Sequence, residues 1–245
     1  MRFFKRILNR FESDINPSKH DDSDAIFSLT SASISIEEKL GLQFSGIAAL
    51  CVKIIDGIVF KNTIKDCTDL LDVSKDEFEF DYKTFTDSYN YLWIIITGKD
   101  MTTIHSDVIT NVAAGLSSTG DIIEENGFAD QILSAVFKFK FLNTFSQDHF
   151  ENKKFKSITE VNGQNDGGSS RNSNGIYVNN NNTINNVENL YLIYNYKTNN
   201  FYPYIPLGYH KRDTTKELQA LSILKSLISI ESDFSKWFPI KDIPF

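Results

Sequence analysis

Strand-like patterns in this chain come in adjacent pairs joined by short turns, and that arrangement narrows the folds open to it. Glu77-Phe78-Glu79-Phe80-Asp81-Tyr82 alternates strictly between polar and apolar residues, as a half-buried strand does. Tyr89 to Thr97 reads as its neighbour. Leu190 to Lys197 and Phe201 to Ile205 flank the turn-prone residues Thr198-Asn199-Asn200 and read as a hairpin. Gly46 to Asp56 and Gln131 to Phe141 are further strand candidates, whereas Gly41 and Gly46 bracket Gln43-Phe44-Ser45, which reads as a turn.

Helical spacing separates these strands. A short helix through Ala25-Ile26-Phe27 takes its cap from Ser23 or Asp24, and Ser35-Ile36-Glu37-Glu38 matches a capping box that starts another helical turn to Leu40. Thr63 to Leu71 places Ile64, Cys67, Leu70 and Leu71 on one side. A long helix from about Thr103 carries the stripe Ile104, Val108, Val112, Leu116, Thr119 and Ile123, and stops at Asn126-Gly127. Asp213 or Thr214 caps a last helix whose expected face is Leu218, Leu221, Leu224, Leu227 and Ile228. Paired strands alternating with single helices predict an α+β fold, a mainly antiparallel sheet covered by helices.

Three segments divide the chain. Residues 1–23 form a basic amphipathic helix and a polar linker. Residues 24–142 together with 188–245 form a single α+β domain. Between them, 143–187 is read as a flexible Asn-rich insertion, since Asp166-Gly167-Gly168-Ser169-Ser170 and Asn179-Asn180-Asn181-Asn182 cannot help build a core. In the first segment Phe3, Phe4, Ile7, Leu8 and Phe11 share one helical face, flanked by Arg2, Lys5, Arg6 and Arg10. Two readings stand for it: a helix resting on an anionic membrane surface or a partner, or a helix folded back on its own core.

Composition bounds the chemistry. A formal net charge of −7 over 245 residues argues against general nucleic-acid binding, which needs a broad basic surface. The longest apolar runs fall well short of the ~20 residues of a membrane-spanning helix, and the N-terminus has no apolar signal core. Cys51 and Cys67 lack the spacing of zinc ligands and read as buried, reduced thiols in a reducing cytosol. His20, His105, His149 and His210 form no ligand motif, so no metal site and no cofactor are expected. Gly115-Leu116-Ser117-Ser118 lacks the elbow of a hydrolase nucleophile, and no carboxylate pair can be assigned acid and base roles. No catalytic residue is expected.

The closing stretch is the most distinctive: Phe201-Tyr202-Pro203, Arg212-Asp213, Glu217-Leu218-Gln219 and Asp233-Phe234-Ser235-Lys236-Trp237-Phe238-Pro239. With Tyr89-Asn90-Tyr91-Leu92-Trp93-Ile94-Ile95 and the exit Glu124-Glu125-Asn126-Gly127-Phe128, these residues resemble the PspA-associated PspAB family. The resemblance implies an accessory or adaptor in a PspA-type membrane-stress response that is not an enzyme. It implies partners among PspA-like proteins and HtpX-type membrane proteases, and a cytoplasmic position, peripheral at the inner face of the membrane. The element order also resembles the YbjN and type III secretion chaperone-like fold, an analogy at fold level that carries no function by itself. A chaperone-like peptide-binding module is the alternative reading, with an uncharacterised enzyme behind it. In the closing stretch, Tyr202, Tyr204 and Trp237 read chiefly as core packing, and otherwise as partner anchors.

Overall fold

A computed structural model describes residues 22–99, 105–142, 189–208, 211–237, 240 and 243–245. The basic N-terminal segment, the Asn-rich insertion and Phe238 lie outside the described residues.

A six-stranded antiparallel sheet organises the fold, in the order β2-β3-β1-β4-β5-β6. In chain order the elements are α1 (Asp22–Leu40), β1 (Leu42–Lys53), α2 (Ile58–Ser74), β2 (Phe80–Thr86), β3 (Tyr91–Gly98), α3 (His105–Glu125), β4 (Ile132–Phe141), β5 (Asn189–Asn195) and β6 (Asn200–Tyr204). A two-stranded ribbon, β7 (Pro206–Gly208) and β8 (Lys211–Arg212), leads into α4 (Thr214–Leu224). The expected α+β architecture is what is observed.

The N-terminal helix is one element, not two short ones. Ile26, Leu29, Ala32, Ile36 and Leu40 are all buried and form a continuous stripe along α1. Ser28, Thr30 and Ser33 turn their hydroxyls back onto carbonyls three residues earlier. Such residues are weak helix formers in isolation, so the helix owes its continuity to that buried stripe. The apparent capping box therefore lies inside α1.

Strand β1 also begins earlier than expected. Gly41, at φ 61°, ends α1 and turns the chain directly into the strand. The supposed turn at Gln43-Phe44-Ser45 is strand, and Gly46, at φ 80°, marks a bulge where the register with β4 jumps between Phe44 and Ala48. Strand β2 starts later, at Phe80. The alternating Glu77 to Glu79 belongs to a turn closed by Phe78 N–H to Ser74 O and Phe80 N–H to Lys75 O, with Glu79 at φ 50°. Tyr89 lies in the β2–β3 turn, where the Asp87 carboxylate accepts the N–H groups of Tyr89 and Tyr91.

Two apolar layers flank the sheet. On one face Leu50, Ile94, Phe137, Phe139, Leu192 and Tyr194 meet the buried stripes of α1, α2 and α3, with Ala220 and Leu224 of α4. The expected stripe of α3 is buried from Val108 to Ile123, and Gly127 at φ 84° terminates it. Helix α4 departs from expectation. Leu218 is exposed, Leu227 and Ile228 lie past the helix end, and Glu217 joins Ala220, Leu221 and Leu224 on the buried side. Asp213 caps it as expected, accepting the Lys216 N–H at 3.1 Å.

Candidate functional site: an aromatic sheet face under the C-terminal segment

Strands buried on both faces read as near-continuous apolar runs. Tyr91-Leu92-Trp93-Ile94-Ile95-Ile96 in β3 and Leu190 to Tyr194 in β5 are such runs. The helices occupy one face, so a second layer must cover the other. That layer is the end of the chain. Ala49, Cys51, Trp93, Ile95, Val136, Tyr191, Ile193, Tyr202 and Tyr204 form a second buried cluster with Leu221 and Trp237, and Ile240, Ile243 and Phe245 pack against it, half-buried.

Ring geometry defines the contact. Phe245 sets its edge against Trp93 at 6.4 Å and against Tyr191 at 6.1 Å. Tyr191 Oη donates to Phe245 O at 2.9 Å. Trp237 stacks on Tyr202 at 5.7 Å, its Nε1 donates to Glu231 O, and Arg212 lies 5.3 Å from the ring centres of both Tyr204 and Trp237. Trp93 Nε1 donates to Asp87 Oδ2 at 2.9 Å, so the indole is fixed by the same carboxylate that holds the β2–β3 turn.

The cluster has a basic rim. Cross-strand register places Lys53 opposite Tyr91, Lys83 opposite Ile95 and Lys138 opposite Tyr191, all on this face, with Lys140 two residues along β4. None of these four lysines forms an ion pair among the described residues. Burial, then the neighbouring Lys140 charge, pushes the Lys138 ammonium below its usual range. Burial, then Tyr204, raises the Tyr191 phenol, and burial with the Asp87 charge lifts the Cys51 thiol to about 12. Cys67, on the helical side, is likewise free, buried and lifted to about 12. Such thiols are inert until exposed.

Tyr202, Tyr204 and Trp237 thus come together in one cluster and are buried there. There they pack against the chain's own residues. Phe3, Phe4, Ile7, Leu8, Phe11, Arg2, Lys5, Arg6 and Arg10 lie outside the described residues. Sequence reasoning missed Trp93, Tyr191 and Phe245 as members of one site. The available signal was the doubly apolar phase of β3 and β5, which demands a cover that no predicted helix was left to supply. Among the described residues no group of His, Cys, Asp and Glu is placed to hold a metal ion, and no helix is long and apolar enough to cross a membrane.

Fold and site together define an α+β protein with a six-stranded antiparallel sheet, helices packed on one face and an aromatic cluster on the other against which the C-terminal residues pack. The family model of PspA associated protein B, PspAB, matches residues 1–152 and 177–245, and the chain belongs to that family. The family name implies association with PspA, and membership suggests a PspA-related role. No curated protein and no solved structure matches the chain.

Proposed function

We propose that the protein is a non-catalytic accessory of a PspA-type membrane-stress response. It acts by binding a PspA-like protein, or an HtpX-type membrane protease, on the cytoplasmic side near the membrane. Family membership supplies the setting. The observation that carries a binding role is the aromatic sheet face. It is rimmed by lysines, covered among the described residues by the irregular terminal segment together with Leu221 of α4, and continued at its edge by Phe85, which stays 47% exposed opposite Trp93. Exposed apolar surface beside a buried aromatic cluster is a usual mark of an interaction site.

Co-purification of the tagged full chain from membrane-stressed cells, with the partners identified, tests this reading. Recovery of a PspA-like protein or an HtpX-type protease is expected. Failure to recover either from cells that contain both would sink it.

A chaperone-like, peptide-holding role is the second reading, and strand β2 favours it. Lys99 N–H bonds to Glu79 O and Asp87 N–H to Tyr91 O, so odd-numbered residues of β2 face β3. The backbone groups of Tyr82, Thr84 and Thr86 then point outward from the sheet edge, where an extended peptide can add a strand. Thr84→Pro removes one outward N–H without touching the β2–β3 ladder. Loss of peptide binding with the fold retained is expected under this reading, and unchanged binding would exclude it.

A further inference from the structure

The two edges of the sheet are finished differently. At β6, Phe201 N–H donates to Ser229 O at 2.9 Å and Glu231 N–H to Phe201 O at 2.8 Å, so the chain itself lies along that edge, in a parallel bridge between Phe201 and Ile230. At the other side β2 ends the sheet and pairs with β3 alone among the described residues.

Strand β2 lacks most of the usual guards of an edge. Its register with β3 runs without a bulge from Phe80 to Thr86, it holds no proline, and apart from Asp81 and Lys83 it consists of Phe, Tyr and Thr. Residues 83–86 are exposed, and Tyr82 is half-buried, its Oη donating to Thr68 O at 3.2 Å. Lysine is the residue that most often guards such an edge, so the outcome depends on what a second strand sets against Lys83.

The free stretch is short and bounded. Phe80 N–H is taken by Lys75 O at 3.0 Å, which closes the edge at its start, and the bond from Asp87 N–H to Tyr91 O turns the chain back toward β3 at its end. Tyr82, Thr84 and Thr86 remain as the outward-facing residues, with Thr84 at their midpoint. A strand that fits must be as short as the edge, and β2 of a second copy is such a strand. About a two-fold axis at Thr84 the strands run antiparallel, Thr84 opposite Thr84 and Tyr82 opposite Thr86, and each pair exchanges two backbone bonds. On the aromatic face Lys83 then meets Phe85 of the second copy and no like charge, while the two Phe85 rings become diagonal neighbours within reach of each other. Asp81 falls opposite Asp87 at the ends. There Lys99 stands 3.6 Å from Asp81, and the Asp87 carboxylate is taken up by the N–H groups of Tyr89 and Tyr91. Other registers fit less well. An axis at Lys83 sets two ammonium groups opposite each other, one at Tyr82 drives Thr84 onto the stretch that Lys75 closes, and one at Phe85 leaves only the Thr84 and Thr86 pairs bonded.

We propose that the protein self-associates as a two-fold dimer through β2, with the axis at Thr84, so that two copies share one continuous sheet and their aromatic faces meet through Phe85. The dimer goes beyond the accessory role, and it gives the β2 edge to a second copy where the peptide-holding reading gives it to a peptide. A contact this short is smaller than a standard interface, so the dimer is weak and concentration-dependent.

Sedimentation equilibrium of the full chain over about a hundred-fold range of concentration should show twice the chain mass at the high end and the chain mass at the low end. Thr84→Pro removes the central N–H and should stay monomeric throughout. Single introduced cysteines read the register, since Cys51 and Cys67 are both buried. Under mild oxidation Thr84→Cys should form an intermolecular disulfide at least about ten-fold faster than Ile34→Cys on α1, a position 60% exposed, because a thiol facing its twin in a dimer reacts at a raised effective concentration. Thr86→Cys lies about 14 Å along the strand from its counterpart in this register and should react no faster than Ile34→Cys.

A chain that is monomeric at every concentration would overturn the dimer, as would a dimer that survives Thr84→Pro. Equal crosslinking at positions 34, 84 and 86 would overturn it too, even where Thr84→Pro fails to fold. Monomeric chain that binds an extended peptide, and loses it in Thr84→Pro, would give the edge to peptides and exclude the second copy. None of these readouts depends on the co-purification, so the dimer and the PspA-like partner can fail separately.

Discussion

Arg212 Nε lies 2.7 Å from one oxygen of Glu217 and 3.0 Å from the other, and the Glu217 side chain is fully buried. The same carboxylate accepts the Ile205 N–H at 2.8 Å, while an Arg212 Nη donates to Pro203 O at 3.2 Å. One ion pair thus ties α4 to the end of β6, and through the Arg212 contact with the Trp237 ring it reaches the C-terminal segment.

Burial pushes the Glu217 carboxyl above its usual range, outweighing the bonds from Ile205 and Arg212 that pull it down. The native state therefore holds this proton more tightly than the unfolded chain does. Stability contributed by the group is then greatest below the unfolded glutamate value of about 4.3 and falls as pH rises through the folded value. Urea midpoints measured across that window should show this slope in the native chain and lose it in Glu217→Gln. Arg212→Ala, which leaves the buried carboxylate unpaired, should cost roughly 3–5 kcal/mol. An Arg212→Ala chain of native stability would show that the pair is not coupled to folding.

Trp237 is 7% exposed and lies in the aromatic cluster. Its ring stacks on Tyr202 and is crossed by Phe234 at 4.8 Å. Trp237→Ala should cost roughly 3–5 kcal/mol in denaturant titration, the range for truncating a buried large aromatic. The emission spectrum of the native chain should be blue-shifted, since Trp93 is buried as well. Unchanged stability in the variant would show that the segment is held elsewhere.

Strands β4 and β5 are antiparallel neighbours, with Lys140 opposite Asn189. The two ends of the intervening stretch thus stand only about 5 Å apart, close enough for a hairpin turn. Replacing residues 143–188 with a short Gly/Ser turn should leave folding cooperative and the thermal midpoint equal or higher, because each halving of a flexible loop saves about 0.6 kcal/mol of closure entropy. Loss of cooperative unfolding would assign the stretch a structural role.

Phe3, Phe4, Ile7, Leu8 and Phe11 share a helical face in sequence, beside Arg2, Lys5, Arg6 and Arg10. Each basic residue near an anionic surface contributes about 1 kcal/mol, against the repulsion of the acidic body. Co-sedimentation with anionic vesicles should be weak, salt-sensitive and abolished by removing residues 1–11. Equal sedimentation of full and truncated chains would exclude the membrane role, and unfolding on truncation would assign the helix to the core.

Much of the sheet was legible because alternation in a strand reports burial directly. The β5–β6 hairpin, the α3 stripe from Val108 to Ile123 and the stop at Gly127 follow from local patterns. Continuity of α1 was not legible, since its hydroxyl residues disfavour helix and only tertiary packing joins its two halves. Glu217 was left out of the expected α4 face because burying a carboxylate depends on Arg212, which reaches it from a separate ribbon. The aromatic site was hidden for a similar reason. Ile240, Ile243 and Phe245 follow no helical or strand period, and their role depends on which sheet face the helices leave uncovered.

Packing between β3 and α3 offers a last, sharp test. A Cβ added at Gly98 would stand 2.5 Å from Val108 Cγ1, closer than any real contact allows. Valine in a helix has essentially one rotamer, so Val108 cannot swing aside. Gly98→Ala should therefore cost roughly 1–3 kcal/mol from overpacking. Val108→Ala is also destabilising, because it opens a cavity at a residue that is 5% exposed. Combined, the new methyl at position 98 enters the space vacated at 108, so the double variant should be more stable than the sum of the two losses predicts, by about 1 kcal/mol or more. A double-mutant cycle in urea measures that coupling, and strict additivity would mean that the strand end moves away from the helix instead of pressing on it.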